Sequence, residues 1–272
     1  MNPEENTPLT DSGEDNTMTR SEFLAATGKS VALIGIGAAG YASWNSLTSR
    51  LAKREMTPIK QYPNTTWYSM AIDIQACIGC GKCVEACCAE NDVPQDDFRT
   101  WIERYRIKKD GTVLIDSPNG GKDGPGPDDV PEDQIEKSFF MPKLCNQCDD
   151  SPCTRACPVG ATFLTPEGAV IVDYDYCIGC GYCIQACPYG SRFWNAKKQT
   201  ADKCTLCYHR ITKGKLPACV EVCPVKARIF GNLADEKSEI SKFCRENAVV
   251  TLRPHLKTGA KVMYKGLTKD VV

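Results

Sequence analysis

Histidine is almost absent from this 272-residue chain, which has only His209 and His255. Catalytic triads, imidazole-rich metal sites and most proton shuttles draw on histidine, and two copies isolated in sequence leave those classes without material. Net charge is missing as well. The 33 Lys and Arg nearly cancel the 34 Asp and Glu, for a formal charge of −1, so no global field draws the chain to nucleic acid or to an anionic lipid surface. Long apolar runs are lacking too: residues 31–42 (V-A-L-I-G-I-G-A-A-G-Y-A) fall short of the roughly 20 residues of a membrane span. Hydrophobic residues at 42% and charged residues at 25% exclude both a multi-pass membrane protein and a disordered one. No nucleophile with a base, no paired carboxylates and no nucleotide fingerprint stand out. Gly35, Gly37 and Gly40 formally match G-x-G-x-x-G, but they lie in the apolar stretch with no strand–helix–strand context.

Cysteine is what the chain has in excess, 18 copies in 272 residues. They fall in four blocks that share a template. The first is Cys77-I-G-Cys80-G-K-Cys83-V-E-A-Cys87, and the third repeats it as Cys177-I-G-Cys180-G-Y-Cys183-I-Q-A-Cys187. The second stretches one gap (Cys145, Cys148, Cys153, Cys157) and the fourth stretches it further (Cys204, Cys207, Cys219, Cys223). Every block ends in C-x3-C, and the last three continue with proline. Disulfide frameworks staple chains too short to build a core, which this one is not. Zinc knuckles could describe the fourth block taken alone but not the two runs with three closely spaced thiols. Three thiolates within seven residues can instead wrap one side of an iron–sulfur cubane. Glycines at 79, 81, 179 and 181 let the backbone come close to it. In the ferredoxin run C-x2-C-x2-C-x3-C-P the fourth thiolate ligates the other cluster of a pair, so the blocks work in twos. Cys88 and Cys244 are left over, and are read as a small packing residue and a helix-face thiol.

Along the chain, residues 1–18 carry five acidic residues and no basic one and are read as disordered. Residues 19–45 form a leader or an N-terminal helix: T-R-S-E-F-L resembles a twin-arginine export signal, with Ser21 where the second arginine belongs. Residues 46–66 are a linker, and 67–272 the cluster-binding domain. Within it, strands are expected at 67–73, 98–107, 191–194 and 227–231, a hairpin over 161–172, a helix at 236–247, and an acidic turn-rich loop between Asp116 and Lys137. The class is α+β, with duplicated bacterial ferredoxin-like cluster-binding modules of short strands, short helices and long loops.

The four blocks in this order resemble the iron–sulfur electron-transfer subunit of molybdopterin oxidoreductase complexes, the family of dimethyl sulfoxide, polysulfide and tetrathionate reductases. The resemblance covers roughly residues 67–265. It rests on L-C-N-Q-C-D-D-S-P-C at 144–153, A-C-P-V-G-A-T at 156–162, D-K-C-T-L-C at 202–207, L-P-A-C-V-E-V-C-P at 216–224 and L-R-P-H-L-K-T-G at 252–259. It implies that block 77–87 pairs with 204–223, and 145–157 with 177–187. Cys77, Cys80, Cys83 and Cys223 would hold cluster 1, and Cys87, Cys204, Cys207 and Cys219 cluster 2. Cys145, Cys148, Cys153 and Cys187 would hold cluster 3, and Cys157, Cys177, Cys180 and Cys183 cluster 4. With Cys180 present, all four are expected to be [4Fe–4S]. Cluster 1 would face the catalytic subunit and cluster 4 the quinone side.

The resemblance implies no active site in this chain. It implies instead a relay between a quinone-interacting membrane-anchor subunit and a molybdopterin-type catalytic subunit, in anaerobic respiration at the periplasmic face of the cytoplasmic membrane. No nucleic acid is expected as a partner. The alternative is a stand-alone cytoplasmic polyferredoxin donating to soluble oxidoreductases. Tyr182, Tyr189, Trp194, Lys82 and Lys203 lie near the blocks in sequence and are candidates to tune cluster potentials.

Overall fold

The computed structural model describes residues 66–268 and Val271. The disordered, leader and linker readings of residues 1–65 therefore lie outside the described residues. The chain runs β1 (Tyr68–Asp73), α1 (Lys82–Asn91), β2 (Thr100–Lys108), β3 (Val113–Asp116), β4 (Ile135–Leu144), α2 (Pro152–Arg155), β5 (Thr162–Leu164) and β6 (Val170–Val172). It continues α3 (Tyr182–Gln185), β7 (Arg192–Asn195), β8 (Thr200–Lys203), α4 (Tyr208–Ile211), α5 (Ala218–Glu221), β9 (Arg228–Asn232), α6 (Glu239–Glu246), β10 (Val249–Thr251) and β11 (Val262–Lys265). Among the described residues no helix is long and apolar enough to cross a membrane.

The architecture is α+β, made of small sheets and short helices. One sheet has the order β10-β11-β1-β9, a second β3-β2-β4, and two hairpins pair β5 with β6 and β7 with β8. Strand β1 is central because its side chains are almost all buried, and it has a neighbour on each edge. It runs parallel to β11, with Met70 opposite Val262, and antiparallel to β9, with Met70 opposite Phe230. The expected strands and hairpin form within a residue or two of their expected bounds, and the helix over 236–247 contracts to α6. Strand β4 falls partly within the loop expected between Asp116 and Lys137 and extends beyond it. It holds Pro142 and the exposed run Glu136–Ser138, and it lies at a sheet edge, where a missing N–H costs no ladder bond. The rest of that loop is tied down by Arg104, whose guanidinium donates to Asp116 at 2.8 Å, to Asp128 at 2.7 Å and to the Gly126 carbonyl at 2.8 Å.

The helices inside blocks two to four are single turns of four residues each. A turn that short has no stability of its own, so what it packs against must hold it. The same local geometry recurs one hundred residues apart. Asp73 Oδ1 accepts from the backbone N–H of Gln75 and Ala76, and Asp173 Oδ1 from that of Asp175 and Tyr176. The Asp73 N–H donates to the Ala227 carbonyl and the Asp173 N–H to the Ala161 carbonyl, both at 2.8 Å. Each aspartate thus turns a strand into a cysteine loop while bonding to the segment that leaves a different block.

The principal core joins Met70, Ile72, Val84, Tyr105, Met141, Leu206 and Tyr264 to the thiols of Cys83, Cys145, Cys204 and Cys219. Its character is mainly that of an ordinary apolar interior, into which four block thiols are built. A smaller cluster, free of the cysteine blocks, packs Ala71 and Ile229 of the first sheet against Ile240 of α6.

Candidate metal centres

All eighteen cysteines are free thiols. The loops that carry the first and third blocks take their shape from glycine. Gly79 and Gly179 both have φ +69°, and a Cβ on Gly79 would lie 2.4 Å from the Phe140 ring, one on Gly179 2.9 Å from the Trp194 ring. In both loops an aromatic side chain of a following strand covers the glycine and closes the loop from outside. Gly81 and Gly181, again left-handed, start α1 and α3, which carry Cys83 and Cys183 inward.

Four groups of thiols result. Cys77 lies near Cys83 and Cys223; burial pushes its pKa up to about 11, against the backbone N–H of Gly79 and the charge of Arg228, which lower it. Cys87 faces Cys219, Cys204 and Cys207, and burial followed by those three thiols raises it well above the ordinary value. Cys148 faces Cys145, Cys153 and Cys187 and is pushed up to about 11, again chiefly by burial. Cys183 neighbours Cys157 and Cys177. Cys80 and Cys180, each in the loop of its block, are the two exposed members. Between groups, thiols lie near enough for their charges to act on one another at Cys83 and Cys219, at Cys204 and Cys145, and at Cys183 and Cys153. The groups therefore follow one another in a row.

The donor set fits iron–sulfur clusters. A single buried thiol is ordinary, but block thiols gathered in groups, nine of them buried, need a cation to justify ionisation, because burial first and the neighbouring thiols next push Cys204 up to about 12 and Cys219 to about 11. A cavity is lined by Cys87, Cys204, Cys207 and Cys219 together with Asn91 and Arg99. Asn91 Nδ2 stands 3.6 Å from both Cys87 Sγ and Cys207 Sγ, and Arg99 Nη1 donates to Asn91 Oδ1 at 2.9 Å.

Several functional groups were not foreseen from the sequence. Arg228 and Arg192 are buried among the thiols, with Arg228 Nη1 and Arg192 Nε lacking any hydrogen-bond partner. Burial works to lower the pKa of Arg228, but the thiols of Cys83 and Cys219, then Tyr264 and Cys77, leave it raised. Cys153 is held below its ordinary value: burial raises it, and Arg192, a hydrogen bond with Ser151 and Lys203 outweigh that. The signal available was an arginine five residues after the last cysteine of a block, in C-P-Y-G-S-R and C-P-V-K-A-R.

Among the tuning candidates, Lys203 is fully buried and Tyr189 lies beside Cys148 and bonds Thr258 Oγ1 at 2.6 Å. Trp194 packs on Gly179, whereas Tyr182 and Lys82 are exposed. Cys88 is half-buried against the principal core, and Cys244 on α6 touches Met263 Sδ at 3.7 Å. His209 meets Glu90 at the surface at 2.7 Å, and His255 sits in an exposed turn.

A family model described as a 4Fe-4S dicluster domain matches residues 136–233, and one described as a 4Fe-4S binding domain matches residues 74–92. Over 202 residues the chain is 42% identical to a tetrathionate reductase subunit of Salmonella typhimurium, covering 74% of this chain and 72% of that protein. It is 37% identical over 202 residues to a putative dimethyl sulfoxide reductase iron-sulfur subunit of Halobacterium salinarum, covering 66% and 72% respectively. To an Hdr-like menaquinol oxidoreductase iron-sulfur subunit of Archaeoglobus fulgidus it is 32% identical over 92% of this chain and 98% of that protein.

Proposed function

As a member of the family of iron–sulfur electron-transfer subunits of molybdopterin oxidoreductases, the chain is non-catalytic, and from that premise we propose that it holds four [4Fe–4S] clusters and relays electrons between a quinone-linked membrane anchor and a molybdopterin-type catalytic subunit. The ligand sets we assign are Cys77, Cys80, Cys83 and Cys223; Cys87, Cys204, Cys207 and Cys219; Cys145, Cys148, Cys153 and Cys187; and Cys157, Cys177, Cys180 and Cys183. The observation that carries the reading is the row of approaches between sets, Cys83 to Cys219, Cys204 to Cys145 and Cys153 to Cys183. A store of isolated clusters has no need of sets that lie within electrostatic reach of one another in sequence, whereas a relay does.

When bound, the clusters supply one-electron acceptors whose potentials follow from their charge, hydrogen bonding and exposure. The chain does the rest. Its thiolates hold them, its apolar core keeps water from the middle of the row, and Gly79 and Gly179 let two loops close tightly. The twofold Asp73 and Asp173 turns support a duplicated ferredoxin-like module whose halves are the block pairs 77–87 with 204–223 and 145–157 with 177–187.

The ends of the row differ from its middle. Cys80 and Cys180 are exposed, and beside them Ile78 (56% exposed), Ile178 (64%) and Tyr182 (61%) present apolar surface to whatever docks there. We assign the Cys80 end to the catalytic subunit and the Cys180 end to the quinone side, on the periplasmic face of the cytoplasmic membrane, where the anchor subunit supplies the contact with lipid.

The test is anaerobic iron and acid-labile sulfide analysis with low-temperature EPR, joined to co-purification from membranes. About sixteen irons and sixteen sulfides per chain, the content of four cubanes, with a catalytic subunit retained on the tagged chain, is the expected result. Half that iron, or zinc, overturns the four-cluster reading. A fully loaded chain that stays alone in the soluble fraction replaces the complex with a free polyferredoxin.

A further inference from the structure

Three cations are buried where consecutive thiol sets approach one another. Between the first and second sets lies Arg228, 3% exposed, which faces Cys83 and Cys77 on one side and Cys219 on the other. Its Nη2 donates to Thr100 Oγ1 at 2.8 Å, while its Nη1 has no partner. Between the second and third sets lies Lys203, 0% exposed, whose ammonium donates to the carbonyls of Cys204, at 2.6 Å, and Val170. Its charge reaches Cys204 in one direction and Cys153 in the other. Between the third and fourth sets lies Arg192, 5% exposed, whose Nη2 donates to Cys153 Sγ at 3.1 Å and which faces Cys183 across the gap.

Among the described residues none of the three forms an ion pair with a carboxylate. The contrast is Arg99, equally buried, which closes on Asp202 at 2.9 Å. A fully buried cation without a counter-ion is costly unless something nearby carries negative charge. The residues facing these three are cluster ligands, so the counter-charge is the ligated cluster on each side.

We propose that Arg228, Lys203 and Arg192 set the reduction potentials of the row in overlapping pairs, each cation raising the potentials of the two clusters it separates. The inference rests on the four-cluster relay argued above. Each reduction adds one electron to a cluster, making it more negative, and makes or breaks no bond in these side chains. A positive charge held in a water-poor interior, where salt screens little, favours the more negative state on both sides of it. With one cation per gap, neighbouring clusters share a charge and their potentials are kept in step.

The experiment is EPR-monitored redox titration of the iron-loaded chain with dithionite, for the wild type and for Arg228→Gln, Arg192→Gln, Lys203→Met, Arg228→Lys and Arg192→Lys. Arg228→Gln is expected to lower two of the four midpoints, each by about tenfold in the reduction equilibrium, about 59 mV for one electron. Arg192→Gln is expected to lower the other two, and Lys203→Met one from each pair. The lysine variants keep the charge and are expected to stay near wild type. Partial cluster loss in a variant lowers signal amplitude and leaves the midpoint readable, since only loaded molecules contribute. Midpoints that do not move in the neutral variants, that move in all four clusters alike, or that move as far in the lysine variants overturn the inference. A wild-type chain with half the iron overturns the relay itself, a result seen before any variant is titrated.

Discussion

Arg99 and Asp202 meet at 2.9 Å with both side chains almost wholly withdrawn from water, 4% and 0% exposed. Tyr174 and Asn195 complete the site, each donating to Asp202 at 2.9 Å. Burial alone would raise the Asp202 pKa, but the charge of Arg99 and the hydrogen bonds from Asn195, Arg99 and Tyr174 hold it below the ordinary carboxylate value. A carboxyl whose folded pKa is depressed stabilises the fold above its unfolded value of about 3.9, and that contribution is lost as pH falls through the lower folded value. Asp202→Ala leaves the guanidinium stranded and is expected to cost roughly 3–5 kcal/mol at pH 7, the usual penalty for breaking a buried pair. Removing both partners, as Arg99→Met with Asp202→Leu, is expected to cost less than either single change. Urea midpoints followed by cluster absorbance decide it. Additive single and double changes would mean that the pair does not act as a unit.

Gly79 and Phe140 give a second prediction. Gly79→Ala puts a Cβ 2.4 Å from the Phe140 ring at a φ of +69°, a conformation that costs an L-residue about 1–2 kcal/mol before any clash is counted. The expected outcome is a chain short of iron and less stable to urea. Phe140→Leu added to it relieves the clash but not the strain, so recovery is expected to be partial. Full recovery would show that backbone conformation there is unimportant.

The cysteine loops, β1, β2 and the hairpin of β5 and β6 were legible because their signals are local: thiol spacing, glycine position and alternating apolar residues. Strand β4 was not, since Pro142 and the exposed Glu136–Ser138 read as loop and only the pairing with β2 makes it a strand. The parallel pairing of β1 with β11 joins residues some 190 positions apart, with Met70 opposite Val262, and no pattern in either segment announces it. Arginine in a sequence reads as surface, so Arg228 and Arg192 do not stand out there. Their equal offset from Cys223 and Cys187 is visible, but its meaning depends on burial. Lys203 draws notice through its place beside Cys204, yet nothing local says that its ammonium ends on the carbonyls of Val170 and Cys204.

Cys180 and Cys88 separate ligand from bystander. Cys180→Ser is expected to damage one cluster and leave three, lowering iron by at most about a quarter, since each cubane has its own four thiolates. Cys88, half-buried on α1 and raised only by burial against the charges of Lys122 and Arg99, is expected to be replaceable by Ser with iron unchanged. Iron counts on the purified variants check both. A quarter of the iron lost on replacing Cys88 would transfer the ligand role from Cys87 to its neighbour, and equal damage to all four clusters in Cys180→Ser would undo the partition into independent sets.

Iron removal tests how much of the fold depends on the clusters. The principal core is shared between apolar side chains and the thiols of Cys83, Cys145, Cys204 and Cys219, and α2, α3, α4 and α5 are single turns too short to persist alone. Stripping iron with a chelator under anaerobic, reducing conditions is therefore expected to melt those turns and the hairpins β5–β6 and β7–β8. The part built without block thiols is different: Ile240 of α6 packs on Ala71 and Ile229, and Ser238 Oγ caps the helix by accepting from the Ser241 N–H at 3.3 Å. Amide exchange is expected to show protection vanishing first in the four single-turn helices and last in β1, β9 and α6. Uniform loss would mean that this patch has no stability apart from the ligand shell. Retention of protection in α3 and α5 would mean that apolar packing alone holds the cysteine loops, and that cluster insertion follows folding rather than driving it.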